Sequence, residues 1–183
     1  MLRLKQAIGA YMLAIVFLPT VQARATTYYV DINGNDDNNG TSESAPFRTI
    51  KKGAAALTQP GDTTYIKNGT YQESGEIYIR FGGTEAAPIK LMAYPGHTPV
   101  LEFPFEPDYN NLGINQMVLQ KKPGHNTPIT WIIIEGITFH RGNPAIKGYA
   151  CTNCIFRRNW FKDQYRDAIL LPSSIDTIIE RNI

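Results

Sequence analysis

The chain has 183 residues, 43% of them hydrophobic and 19% charged, with a formal net charge of +2. That apolar content excludes an intrinsically disordered chain and is enough for one domain with a core. Nucleic-acid binding by bulk charge is also excluded. Without Arg3, Lys5 and Arg24, all in the first 25 residues, 15 basic side chains face 16 acidic ones.

Residues 1–25 read as a secretory signal peptide. Arg3 and Lys5 give a positive start, and Ala7 to Leu18 is an apolar run of twelve. Val21-Gln22-Ala23 and Ala23-Arg24-Ala25 place small residues where signal peptidase cuts. Twelve apolar residues fall short of the roughly 20 that a membrane helix needs, so no stable membrane span is expected after cleavage, an uncleaved anchor being the alternative. The mature protein is expected to be secreted, extracellular or periplasmic. Its charge is uneven: residues 26–115 carry 6 basic and 11 acidic side chains, whereas residues 141–183 carry 7 and 4. A basic far end on an exported protein suits an acidic partner such as a uronate polymer, and a solvated mixed surface explains it equally well.

Thr26 to Ile32, TTYYVDI, is β-branched and aromatic, the composition of a strand. DINGNDDNNGT follows, from Asp31 to Thr41. An EF-hand loop needs Gly sixth and Glu twelfth, and counting from Asp31 those places hold Asp36 and Ser42. Two readings remain: a calcium site using Asp31, Asp36 and Asp37, or a surface loop of turn-forming residues, which the composition favours. Next, Ser44 suits a helix N-cap, Pro46 the first turn, and Phe47, Ile50, Ala54 and Leu57 one helical face, with Pro60-Gly61 as the stop. One short amphipathic helix is expected there.

From Thr63 on, the pattern is of short strands: TTYIKNGTY, GEIYIRF, PIKLMAYPGHTPVLEF, MVLQ, TWIIIEGITF, CIFRRNWF and DTIIERNI, punctuated by Asn-Gly, Pro-Gly and Gly. A repeat of 23 separates the possible all-β folds. Ala145-Ile146 recurs as Ala168-Ile169, and Asn153, Ile155, Arg158 and Asn159 recur as Asp176, Ile178, Arg181 and Asn182. One step back, Ile132 falls under Ile155 and Gly136 under Asn159. A fixed period argues for a stacked coil, in which each rung buries its apolar residues on its neighbours. The Gly136/Asn159/Asn182 column is expected to be a corner with left-handed or tight backbone.

The ordered series YYV, NGNDD, NGT, PFRTI, PGD and NGTY resembles the opening of secreted right-handed parallel β-helix proteins, the pectate-lyase-like polysaccharide lyases among them. The expected fold is all-β, a right-handed parallel β-helix with a short N-terminal capping α-helix. Its parts would be a signal peptide over 1–25, a strand, loop and capping helix over 26–62, and coils over 63–183. The resemblance implies that the helix lies over the first coil. The chain stops at Asn182-Ile183 inside a copy of the repeat, whereas the lyases run for many more coils. The sequence is therefore expected to be the N-terminal portion of a longer protein, or a truncated product.

Four groups of residues carry candidate chemistry. Arg157, Arg158, Lys162 and Arg166 lie close in sequence to Trp160, Phe161 and Tyr165, a composition that suits a uronate: guanidinium forks hold carboxylates and aromatic rings pack on sugar faces. Core packing and a solvated basic face are the competing reading. Asp163 and Asp167 are the nearby carboxylates, for calcium or for hydrolysis. Cys151 and Cys154 form a C-x-x-C pair: a local disulfide in an exported protein, two small buried residues, or half of a zinc site drawing on His97, His125 and His140. Asn39-Gly-Thr and Asn68-Gly-Thr are glycosylation sequons and equally plain turns. The resemblance implies a lyase that uses calcium to neutralise the substrate carboxylate while a Lys or Arg takes the C5 proton. The alternatives are a non-catalytic carbohydrate-binding β-helix protein and a glycoside hydrolase.

Overall fold

The computed structural model describes residues 24–103, 115–121 and 127–183. The expected signal peptide thus lies outside the described residues except for its last two positions. An entry strand, β1 (Thr27–Val30), and one helix, α1 (Ile50–Ala56), precede the coils. The first coil contains β2 (Thr63–Ile66), β3 (Thr70–Gln72) and β4 (Ile77–Ile79). The second contains β5 (Ile89–Ala93), β6 (Val100–Glu102), β7 (Met117–Leu119) and β8 (Ile129–Thr130). The third contains β9 (Ile132–Glu135), β10 (Thr138–His140), β11 (Ile146–Gly148) and β12 (Cys151–Thr152). The fourth contains β13 (Ile155–Arg157), β14 (Trp160–Lys162) and β15 (Ile169–Leu170), and β16 (Ile178–Glu180) begins a fifth.

Strands stack coil on coil. The first sheet runs β1-β2-β5-β9-β13-β16, the second β3-β6-β10-β14, the third β4-β7-β11-β15, and a short fourth joins β8 to β12. The registered pairs are parallel. Alternation along each strand sends every second side chain inward. Leu91, Ile134 and Phe156 stack inside the first sheet, Tyr71, Leu101 and Phe139 inside the second, and Ile77, Met117 and Ile146 inside the third, all buried. Each such side chain contributes about 1.5–3 kcal/mol by leaving water. On the last rung, Ile175, Ile178, Ile179 and Ile183 are exposed.

The helix is shorter than the sequence suggests, and its cap is Thr49, not Ser44. Thr49 has extended backbone, and its hydroxyl accepts from the Lys52 amide at 3.1 Å. The physical reason is β1. Phe47 bridges Val30 and donates its amide to the Tyr29 carbonyl, which keeps it out of the helix. Ile50, Gly53 and Ala54 are the buried face, and α1 packs on β1, β2 and β4 as a lid on the first coil.

The Asp/Asn/Gly stretch is built from side chains that imitate turns. Asp31, Asn35 and Asn39 each accept, through Oδ1, the amide two residues on, all at 3.0 Å. Gly40 is left-handed (φ +70°), and a Cβ there would sit 2.3 Å from the Phe47 ring. Asp36 ties the loop to the helix: its carboxylate accepts the Arg48 amide at 2.8 Å, the Thr49 amide at 3.0 Å and the Thr49 hydroxyl at 2.8 Å. Partial burial pushes the Asp36 carboxyl up, but these hydrogen bonds outweigh it and hold the group below its ordinary value.

Two details of the repeat differ from the expectation. Ile155 pairs with Ile178, 23 positions on, but also with Ile133, 22 positions back, so Ile132 is not its partner. The left-handed column is consequently Gly136, Arg158 and Arg181, with φ of 76°, 54° and 55°. Asn159 and Asn182 do other work, one residue later. Asn159 Nδ2 donates to the Ile134 carbonyl at 3.0 Å, and its Oδ1 accepts from the Ile137 amide at 3.1 Å. Asn182 repeats this one coil on, with the Phe156 carbonyl and the Asn159 amide, both at 2.9 Å. They form a ladder of amides that satisfies backbone groups where the chain leaves the first sheet.

Candidate functional site

The second sheet presents two outward rows. Thr70, Val100, Thr138 and Trp160 stack in one, and Gln72, Glu102, His140 and Lys162 in the next. Phe161, between the outward residues of β14, points inward and stacks on Phe139 with ring centroids 5.4 Å apart. That packing fixes Trp160 on the outside, 55% exposed. A groove of about 450 Å³ runs along this face, lined by Thr98, Val100, Gly136, Ile137, Thr138, Arg158, Trp160 and Lys162. Its floor is short side chains and a glycine. Its far end carries an exposed indole, a guanidinium and an ammonium. None of the lining residues is acidic.

Glu135, buried on the neighbouring face, organises the arginines. Its Oε1 lies 2.9 Å from Arg158 Nη1, and its Oε2 lies 2.8 Å from both Nε and Nη2 of Arg157. Arg157 is therefore held on the outer face of the first sheet, 3.9 Å from Glu180 as well, and does not line the groove. Arg158 keeps 58% of its side chain exposed while paired. Arg166 is exposed in the turn before β15 and does not line the groove either. Of the basic and aromatic cluster, the structure thus brings together Arg158, Trp160 and Lys162, and separates Arg157 and Arg166.

Beside the groove, the second outward row carries a chain of polar contacts. Gln72 Nε2 donates to Glu102 Oε2 at 3.4 Å, Glu102 Oε1 lies 3.0 Å from His140 Nδ1, and His140 Nε2 lies 3.1 Å from Asp163 Oδ2. The sequence hid this array. Glu102 sits under His140, yet they are 38 positions apart, outside any period of 23.

The other candidate residues are dispersed. Asp31 lies 3.8 Å from Lys67, Asp36 is committed to the helix start, and Asp37 is exposed. Among the described residues no three His, Cys, Asp or Glu side chains come together to hold a metal ion. His97 accepts the Asn68 amide through Nδ1, His140 is engaged as above, and His125 lies outside the described residues. Cys151 and Cys154 are free, buried thiols, not a disulfide. Asn153, left-handed at φ 53°, turns the chain between them, and Cys154 Sγ faces the carbonyls of Thr152 at 3.7 Å and Ile129 at 3.9 Å. The hydrogen bond to Cys154 and burial push the Cys151 thiol up. Asn39 serves a turn, whereas Asn68 joins two coils by accepting the Thr98 amide at 2.6 Å.

Comparison with known proteins identifies the architecture. The family model described as the Pel9A-like, right-handed β-helix region matches residues 28–162. Pectate lyase PEL9 of Emericella nidulans is 36% identical over 78 residues, which is 43% of this chain and 18% of that protein. The crystal structure of pectate lyase Pel9A superposes with a TM-score of 0.52 and 26% identity over 75% of this chain and 34% of its own. A lacto-N-biosidase of Eubacterium ramulus superposes with a TM-score of 0.54 over 86% of this chain and 41% of its own; at 14% identity the two share the fold alone. The chain thus spans a small part of the length of these relatives. The fold is the expected right-handed parallel β-helix with its helical cap, and the chain belongs to the Pel9A-like right-handed β-helix family.

Proposed function

We propose that this chain is the glycan-holding portion of a secreted polysaccharide lyase of the pectate-lyase type, and that it binds an acidic polysaccharide along the second sheet. The observation that carries this reading is the groove: Trp160, Arg158 and Lys162 converge at one end of a shallow, carboxylate-free channel. An exposed indole offers an apolar face to a pyranose ring. Lys162 and the paired Arg158 attract the carboxylate, and the hydroxyls of Thr98 and Thr138 face sugar hydroxyls. The similarity to pectate lyases supports a uronate as the acidic sugar.

In β-elimination the sugar carboxylate charge must be held while a base takes the neighbouring C–H proton. Arg158 and Lys162 supply the first part of that requirement here. Calcium, when bound, would supply the same neutralisation. Among the described residues no three His, Cys, Asp or Glu side chains converge to hold a metal ion. The proposed export rests on the pattern of residues 1–25. No helix among the described residues is long and apolar enough to cross a membrane.

The test is incubation of the full-length protein, as its native cell secretes it, with polygalacturonate and with a neutral glucan. Binding to polygalacturonate with release of unsaturated uronate supports the lyase reading. Binding without product leaves a carbohydrate-binding β-helix protein. Saturated reducing ends would make it a glycoside hydrolase. No preference for the acidic polymer would overturn the proposal.

A further inference from the structure

The array Glu102–His140–Asp163 adjoins the groove without lining it. A carboxylate oxygen only accepts, so a ring nitrogen that faces one must carry a proton. His140 faces carboxylates with both nitrogens, at 3.0 and 3.1 Å, so the arrangement is complete only with the imidazolium form. The surroundings keep the two carboxylates in place differently. Glu102 is largely shielded and accepts from Gln72, whereas 63% of the Asp163 side chain is exposed and its backbone sits in a left-handed corner at φ 52°. Asp163 directly follows Lys162, which lines the groove and pairs with His140 in register.

We propose that this array makes the groove a pH-dependent receptor for acidic glycans, with tighter binding when His140 is protonated; this rests on the groove being the glycan site. The charged groups around the ring, among the described residues, are Glu102 on β6, Lys162 on β14, Asp163 in the turn after it, and Arg141 next in the chain. With an imidazolium, His140, Lys162 and Arg141 exceed Glu102 and Asp163 by one positive charge. With a neutral imidazole the five groups balance, and the single ring N–H serves only one of the two carboxylates. Imidazoles titrate between pH 5 and 8, whereas uronate carboxylates stay ionised throughout that range, so the ligand's own charge does not change.

The experiment is a calorimetric titration of the protein with a galacturonate oligomer at pH 5 and pH 8, at one fixed ionic strength. Wild type should bind about 3- to 10-fold more tightly at pH 5, the effect of one charge at groove distance in a surface dielectric. His140→Gln should bind equally at both, at the wild-type pH 8 level. Asp163→Asn should raise affinity at pH 8 toward the pH 5 value, and it keeps the test decisive if the first variant does not fold. Wild-type binding that is lost in Trp160→Ala but does not change with pH would overturn the switch and leave the groove standing. So would a His140→Gln variant that keeps the wild-type ratio. Absence of wild-type binding at both pH values would overturn the groove and the switch together.

Discussion

Replacing Asn159 with Ala tests the amide ladder, which ties the third coil to the fourth. Asn159 is buried at 1% exposure, and its side chain satisfies the Ile134 carbonyl and the Ile137 amide. Alanine leaves both backbone groups without that partner, and water cannot reach them readily. Each unsatisfied buried group costs about 1–3 kcal/mol, so the variant should lose about 2–6 kcal/mol. That is a large part of a stability of roughly 5–15 kcal/mol. Asn182 makes the same pair of bonds but is only half-buried, so solvent replaces part of what the mutation removes. Asn182→Ala should cost about 1 kcal/mol. The assay is urea unfolding at pH 7 followed by far-ultraviolet circular dichroism, with both variants measured beside wild type. Equal losses for the two variants, or less than about 0.5 kcal/mol for Asn159→Ala, would refute the argument that burial makes these two bonds costly to lose.

Three further outcomes follow from particular residues. Ala150 is left-handed at φ 50°, so Ala150→Gly should stabilise by up to about 1 kcal/mol in the same urea assay, the relief of a Cβ clash less the extra chain entropy. Asp36→Ala should cost about 1–2 kcal/mol near neutrality, because it removes the acceptor of the Arg48 and Thr49 amides and of the Thr49 hydroxyl that caps the helix. The Asp36 carboxyl is held below its ordinary 3.8, so its contribution is present above that value and fades as pH falls through the folded-state pKa; thermal melts of both proteins from pH 6 to pH 2 should converge. Glu73 is the opposite case. Burial raises its pKa although its carboxylate accepts the Ile50 and Lys51 amides, so its contribution is full below the ordinary 4.5 and declines as pH rises through the folded value. Glu73→Gln, which keeps an acceptor and drops the charge, should gain in melting temperature relative to wild type between pH 4 and pH 7.

The last coils could be read from the sequence because their rungs are nearly equal in length. Ile146 over Ile169 and Ile155 over Ile178 are the pairs that a step of 23 predicts. The earlier coils could not, because the step in the second sheet changes from Thr70–Val100 to Val100–Thr138 to Thr138–Trp160. A repeat search that expects constant spacing misses Glu102 under His140 and the valine and threonines of the groove floor. The corner was displaced by one residue for a different reason. Asn159 and Asn182 are types that tolerate left-handed backbone, whereas Arg158, Arg181, Trp131 and Ser173 are not, yet the latter adopt it. Stacked coils fix both neighbours of each corner, and that constraint outweighs local preference. The basic cluster was half legible. Alternation along β14 places Trp160 and Lys162 on one side, but the pairing of Arg157 with Glu135 depends on a contact between coils.

Amide chemical-shift mapping measures directly whether an acidic glycan binds on the outer face of the second sheet. On titration with a galacturonate oligomer, the largest shifts should fall on Thr98, Gly136, Thr138, Arg158, Trp160 and Lys162, and a neutral glucan oligomer should leave them unmoved. Shifts centred instead on the outer face of the first sheet, around Arg157 and Glu180, or equal shifts with the neutral oligomer, would contradict that placement.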